Sequence, residues 1–154
     1  MAWSLPSNYK SRPIAVLGAG QLGRRIAACF IAAGWHVLIR DPSSSARNDA
    51  LSYIKENIST YLGLTHAGKP GKYEAIEDIG ATVKEAWLVI EAVPEVLEMK
   101  EDTFAELERL APKDCVLATN SSSFKSRELL GKVKEQETKE RVLNTHFMMP
   151  PQVR

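Results

Sequence analysis

The sequence predicts an α/β fold, a doubly wound parallel sheet formed as a single domain, on three observations. Short apolar runs at residues 14–17, 35–39, 87–92, 115–119 and 141–145 have the character of strands buried on both faces, and stretches of helical spacing separate them. A glycine-rich turn, Gly18-Ala19-Gly20-Gln21-Leu22-Gly23, follows the first run without a spacer. A later run opens into a cluster of small polar side chains, Asn120-Ser121-Ser122-Ser123, at the strand end where open α/β sheets hold ligands. Strands alternating with helices imply right-handed crossovers throughout.

Residues 14–41 read as strand, turn, helix, second strand and terminal acid. Gly18 permits the tight turn, Gly20 lets backbone approach a pyrophosphate, and Gly23 lets the helix lie close to the strand. Leu22, Ile26, Phe30 and Ala33 recur at helical spacing, and Gly34 supplies a stop. Asp41 closes the second run about twenty residues past the glycines, where a carboxylate accepts from both adenosine ribose hydroxyls and repels a 2′-phosphate. This Rossmann-type pattern points to NAD ahead of NADP. Arg40 is the residue that would speak for NADP, FAD is the alternative dinucleotide, and a βαβ unit that binds nothing is the bland reading.

After Asp41, Pro42 and Ser43 to Ser45 predict a turn and a helix cap, with a helix from near Ala46 whose buried face holds Leu51, Ile54, Ile58 and Tyr61. Residues 63–72 form a glycine-containing surface loop. Its Lys69 and Lys72, with Lys55 and His66, are expected to be solvated. Residues 73–76 suit a short strand, and residues 79–86 a short helix or an irregular link. The run at 87–92 ends in Val93-Pro94-Glu95, where proline suits a first helical position. The helix expected from there buries Leu97, Phe104, Leu107 and Ala111, and Pro112 ends it. Residues 126–131 suit a short helix, residues 132–141 a solvated stretch of lysines and glutamates, and residues 141–145 a last strand.

With 154 residues there is room for one core and not for a two-domain enzyme. A net charge of +1 supplies no field to recommend nucleic acid or an anionic membrane. The longest apolar stretch, residues 26–33, is too short to cross a bilayer. Cys29 and Cys115 suit packing in a reducing compartment, with a cytoplasmic location expected. Residues 1–12 read as a flexible lead-in, with Trp3 and Leu5 resting on the surface, and the domain occupies 13–154.

In such a sheet the strand ends gather on one edge, which brings the glycine turn, residues 92–95, Asn120 to Ser123 and His146 around one crevice. Oxidising an alcohol by hydride removal needs a base for its proton, and imidazole titrates nearest to neutral pH. His146 fits that role, and Ser122 or a neighbour fits that of a donor to the substrate oxygen. Read singly, the histidine is a strand-end residue and the serines are helix caps.

The ordered set Gly18-Ala19-Gly20-Gln21-Leu22-Gly23, Val89-Ile90-Glu91-Ala92-Val93-Pro94-Glu95 with Lys100, Thr119-Asn120-Ser121-Ser122-Ser123, and His146-Phe147 with Pro150 resembles the L-3-hydroxyacyl-CoA dehydrogenase family. The resemblance implies oxidation of a 3-hydroxyacyl-CoA to the 3-ketoacyl-CoA by NAD. It implies cofactor contacts at Gly18, Gly20, Gln21, Leu22, Gly23, Asp41, Ala92, Glu95, Lys100 and Asn120, and catalytic roles for His146, Ser122 and Asn120. Met149 stands where the family usually has asparagine, Ser121 where it has threonine, and Trp87 where it has aspartate. The resemblance also implies a glutamate partner for the histidine and a helical, dimerising C-terminal domain, both beyond Arg154.

Without those parts, weak turnover or none is expected of this stretch alone, and the surface near Phe147 to Pro151 predicts a homo-oligomer or a partner chain. Two other functions compete. One is a non-catalytic module that senses NAD or binds a protein. The other is a dehydrogenase of a free hydroxy acid.

Overall fold

The computed structural model describes residues 4–151. Its six strands are β1 (Ile14–Leu17), β2 (Val37–Arg40), β3 (Tyr73–Ile76), β4 (Leu88–Glu91), β5 (Val116–Thr119) and β6 (Val142–Asn144). They form one sheet in the order β3-β2-β1-β4-β5-β6, every neighbouring pair parallel. That is the doubly wound order of dinucleotide-binding folds, with the switch point between β1 and β4.

Side chains of a strand alternate between faces, so each central strand supplies two cores. Val16, Ile39, Ile90 and Ala118 pack beneath α1 (Gln21–Ala32) and α2 (Ser44–Leu62), whose Ile26, Ile31 and Ile54 are fully buried. Ala15, Leu17, Val89 and Leu117 face α3 (Ile79–Val83) and α4 (Leu97–Leu110) through Val83, Phe104 and Leu107. The register puts Leu17 opposite Arg40 and Glu91, Glu91 opposite Thr119, and Thr119 opposite Asn144. All the strands therefore end on one line. The residues just past them, Gly18, Asp41, Ala92, Asn120 and Thr145, each donate one more backbone hydrogen bond to a neighbouring strand, at 2.8–3.2 Å.

The second strand begins at Val37, two residues later than its apolar run, and Trp35 ahead of it packs against Trp87. Ser43 caps α2 by accepting from Ala46 N, and the helix begins at Ser44. Of its expected buried face, Ile54 and Tyr61 are buried, whereas Leu51 and Ile58 are half-buried. The link at 79–86 is helical, capped by Asp78.

Two expectations fail. Pro94 does not open α4, which starts three residues later at Leu97. Leu97 itself is 39% exposed, and Lys100 holds the inward position. Residues 132–141 are not all solvated either, since Val133, Thr138 and Arg141 are buried around α5 (Gln136–Glu140). The Arg141 guanidinium donates to the Pro112 and Cys115 carbonyls at 2.7 and 2.8 Å, closing the base of β5. Charge pattern alone hides such a use, because a guanidinium can be buried where carbonyls receive it.

Within the lead-in, Tyr9–Ser11 forms a 3₁₀ turn, and Tyr9 packs at a tilt against Trp35 and edge-on against Trp87. Trp3 lies outside the described residues, and Leu5 is exposed. Burial raises the thiols of Cys29 to about 11 and Cys115 to about 12, as befits packing residues. Among the described residues no helix is long and apolar enough to cross a membrane.

Candidate functional site

The glycine turn is built for close approach. Gly18 has φ +106°, and a Cβ there would lie 2.5 Å from the Ala92 carbonyl oxygen; one on Gly23 would lie 1.8 Å from the Gly18 oxygen. Both positions exclude any side chain. At Gly20 a Cβ would meet nothing within 4 Å, so this backbone faces open space. Gly20 gives α1 no side-chain cap, and Arg24 N, bonded to Gly20 O, is the first amide of the helix with an internal acceptor. The earlier N–H groups stand ready for an anion.

Asp41 is tied to this turn. Its Oδ2 accepts from Ala19 N and its Oδ1 from Ser43 N, both at 2.9 Å. Each oxygen keeps a lone pair, enough for a pair of ribose hydroxyls. A hollow of about 260 Å³ opens here, lined by Gly18, Arg40, Asp41, Pro42, Val93, Pro94, Met99 and Thr103. Arg40, on its wall, donates from Nε to the Glu77 carbonyl at 3.0 Å.

A second hollow, about 230 Å³, lies on the other side of Val93. Leu22, Ala92, Val93, Glu95, Lys100, Asn120, Ser122 and His146 line it. Residues far apart in sequence thus meet in one crevice beside the glycine turn, as the strand-end reasoning expects.

Beneath that crevice lies a charged network. Glu91 is fully buried at the end of β4, and Lys100, 1% exposed, reaches it from the first turn of α4 with Nζ to Oε1 at 2.8 Å. Thr119 Oγ1 donates to the other Glu91 oxygen at 2.7 Å, and Val93 N donates to Oε1 at 2.8 Å. Lys100 also reaches Glu95 Oε2 at 3.2 Å and the Val93 carbonyl at 3.3 Å. Two of these contacts, to Glu91 and to the Val93 carbonyl, are hydrogen bonds, and the one to Glu95 is an ion pair. Lys100 therefore joins Glu91 to Glu95 at the floor of this hollow.

The Glu95 carboxylate, 37% exposed, accepts from Ser121 Oγ and, at 3.1 Å, from Ser123 N. Burial pushes its carboxyl up, but these donors and Lys100 outweigh that and hold it below the usual carboxylate range. Glu91 and Ser121 were not singled out from the sequence as site residues. The available signal was an acid inside an apolar strand, which demands a partner.

His146 is exposed just past β6, and its place is set by backbone. Thr145 N donates to Thr119 O at 2.8 Å, and Phe147 N donates to the Asn120 side-chain oxygen at 2.6 Å. Phe147 then packs edge-on against Phe30. Asn120 thus braces the segment carrying His146, while Ser122 is exposed at the rim. Among the described residues no hydrogen bond or ion pair orients the imidazole itself.

The model of the 3-hydroxyacyl-CoA dehydrogenase NAD-binding domain matches residues 13–154. The chain belongs to that family. A 3-hydroxyacyl-CoA dehydrogenase of Gibberella moniliformis is 34% identical over 141 residues, which are 91% of this chain and 43% of that protein. A crystal structure of 5-formyl-3-hydroxy-2-methylpyridine 4-carboxylic acid 5-dehydrogenase, an NAD+-dependent dismutase, superposes with a TM-score of 0.82 at 28% identity, covering 92% of this chain and 46% of that one. A diketoreductase that acts on dicarbonyl compounds gives 0.80 at 30% identity, covering 92% and 52%. The chain spans about half the length of these relatives or less. NAD is the dinucleotide of this family. The free amides at α1, the open space at Gly20 and the unfilled lone pairs of Asp41 fit its pyrophosphate and adenosine ribose.

Proposed function

We propose that this chain is the cofactor-binding part of an enzyme that moves a hydride between NAD and C3 of a 3-hydroxyacyl-CoA. The observation that carries the reading is the meeting of His146, Ser122, Asn120 and Glu95 in one hollow beside the glycine turn.

Adenosine would lie in the Asp41 hollow, with pyrophosphate at Gly18, Gly20, Gln21, Leu22 and Gly23, and the nicotinamide end beyond Val93, against Ala92 and Glu95. NAD supplies the hydride acceptor. Ser122 Oγ donates to the substrate oxygen and holds C3 toward the ring. His146 takes the hydroxyl proton as the C3–H bond gives up its hydride, and returns that proton in the reverse direction. The products are the 3-ketoacyl-CoA, the reduced cofactor and a proton on His146. Turnover by this chain alone is expected to be weak, because its imidazole lacks an orienting partner among the described residues. Met148 and Met149, 68% and 46% exposed, with Leu143 at 41%, support burial against a second copy or a partner chain. A monomer by light scattering at high concentration would oppose that.

The test is NADH oxidation with acetoacetyl-CoA, with calorimetry for NAD binding. His146→Ala is expected to lower the rate by about 10²- to 10⁴-fold and leave NAD affinity unchanged. Failure to bind NAD would overturn the reading. A second reading, a free hydroxy acid or dicarbonyl substrate, draws support from the two solved structures above, a dehydrogenase of a pyridine carboxylic acid and a diketoreductase of dicarbonyl compounds. Faster turnover of the free acid than of the thioester would favour it.

A further inference from the structure

We infer that Glu91, Lys100 and Glu95 give the nicotinamide end of the cleft a net negative charge that favours the oxidised cofactor over the reduced one. The inference rests on the proposed placement of that end in the hollow shared by Glu95, Ser122 and His146.

Two carboxylates and one ammonium meet within 3.2 Å, leaving one negative charge in excess. The positive member lies at the floor of the hollow, between the two carboxylates. Lys100 is 1% exposed, hydrogen-bonds Glu91 and the Val93 carbonyl, and pairs with Glu95. Glu95 is the member that reaches the cleft, at 37% exposed. Its remaining partners, Ser121 Oγ and Ser123 N, are neutral and fix the carboxylate without cancelling it. Among the residues lining this hollow the one other titratable group is His146. Asp41 faces the other hollow, where the adenosine end is placed.

Oxidised and reduced cofactor share adenine, riboses and pyrophosphate, and they differ by one positive charge on the nicotinamide ring. Every contact at the glycine turn and Asp41 therefore cancels in the comparison of the two. What remains is the field at the ring. A fixed carboxylate acts there without reorganisation, as preorganised charge does elsewhere in enzymes.

The experiment measures the dissociation constants of NAD+ and NADH for the whole chain at pH 8, where an ordinary imidazole is neutral, in the wild type, Glu95→Gln and Glu95→Asp. Glu95→Gln is expected to weaken NAD+ relative to NADH by about three- to tenfold, the size of one unit charge acting through a partly solvated cleft. Glu95→Asp keeps the charge and is expected to stay near the wild-type ratio. Circular dichroism checks that the variants fold, which the exposure of Glu95 favours. If Glu95→Gln weakens both forms equally, the carboxylate acts only as a hydrogen-bonding group and the inference falls alone. If neither form binds the wild type, the inference falls together with the reading beneath it.

Discussion

The two ends of the parallel sheet are closed in opposite ways. At the amino end, Tyr9, Trp35 and Trp87 form a ring cluster, with centroids 5.3–6.0 Å apart, over the starts of the strands. Arg12 seals its border with a two-pronged pair to Asp114 at 2.8 and 2.9 Å and further donors to the Glu85 and Ala86 carbonyls. At the carboxyl end, large apolar groups are replaced by a buried ion pair, hydroxyls and open hollows. One end gains stability from area removed from water. The other spends stability to hold charge where a ligand needs it.

The sharpest way to break this contrast is to unpair the buried ions. Lys100→Met is expected to cost about 3–5 kcal/mol in urea unfolding, because Glu91 stays buried without its ion partner, and Glu91→Leu less, because Lys100 keeps Glu95. The double variant is expected to recover part of that loss, although Thr119 Oγ1 and Val93 N lose their acceptor. Single variants as stable as the wild type would mean that the pair is not buried in solution.

Next in size is Trp87→Ala, expected to cost about 2 kcal/mol through lost ring contacts at a half-buried position, with the NAD dissociation constant unchanged. An affinity that falls along with stability would show that the two ends are not independent.

The smallest effect concerns acid. The Arg12 hydrogen bond is the largest influence on Asp114 and holds its carboxyl below the usual carboxylate range. A depressed carboxylate contributes stability that is full above its unfolded value, near about pH 3.9, and that fades as pH falls through the folded value. Asp114→Asn is expected to cost less than about 1 kcal/mol at neutral pH, because the carboxylate is half-exposed, and to flatten the acid limb of the stability profile. Glu95, also held low, should preserve the rest of that limb. An unaltered limb in Asp114→Asn would mean that the pair contributes nothing.

Much of the fold was legible because its signals are local. The run at 14–17, the glycines after it and the alternation of runs with helical spacing each depend on neighbours in sequence, and together they announce the parallel, doubly wound sheet. The meeting of Asn120, Ser122 and His146 at one edge was legible for the same reason, since parallel strands end on one side. The start of α4 was not. Pro94 suits a first helical turn, but the chain bends at Glu95 and is extended at Val96 before coiling, so Leu97 turns outward and Lys100 inward over Glu91. The lysines and glutamates of 132–141 read as a solvated face, yet Arg141 finds carbonyl acceptors 26 and 29 residues upstream. No local pattern announces a partner so far away.

The sequence by itself determined the strand and helix periods, the glycine turn and the acid that closes β2, because backbone sterics and side-chain alternation act over a few residues. Only the tertiary structure decided that Lys100 pairs with both Glu91 and Glu95, and that Asn120 braces the His146 segment. Those outcomes depend on how many acceptors surround one donor after the elements have packed, and that count does not exist until the chain has folded.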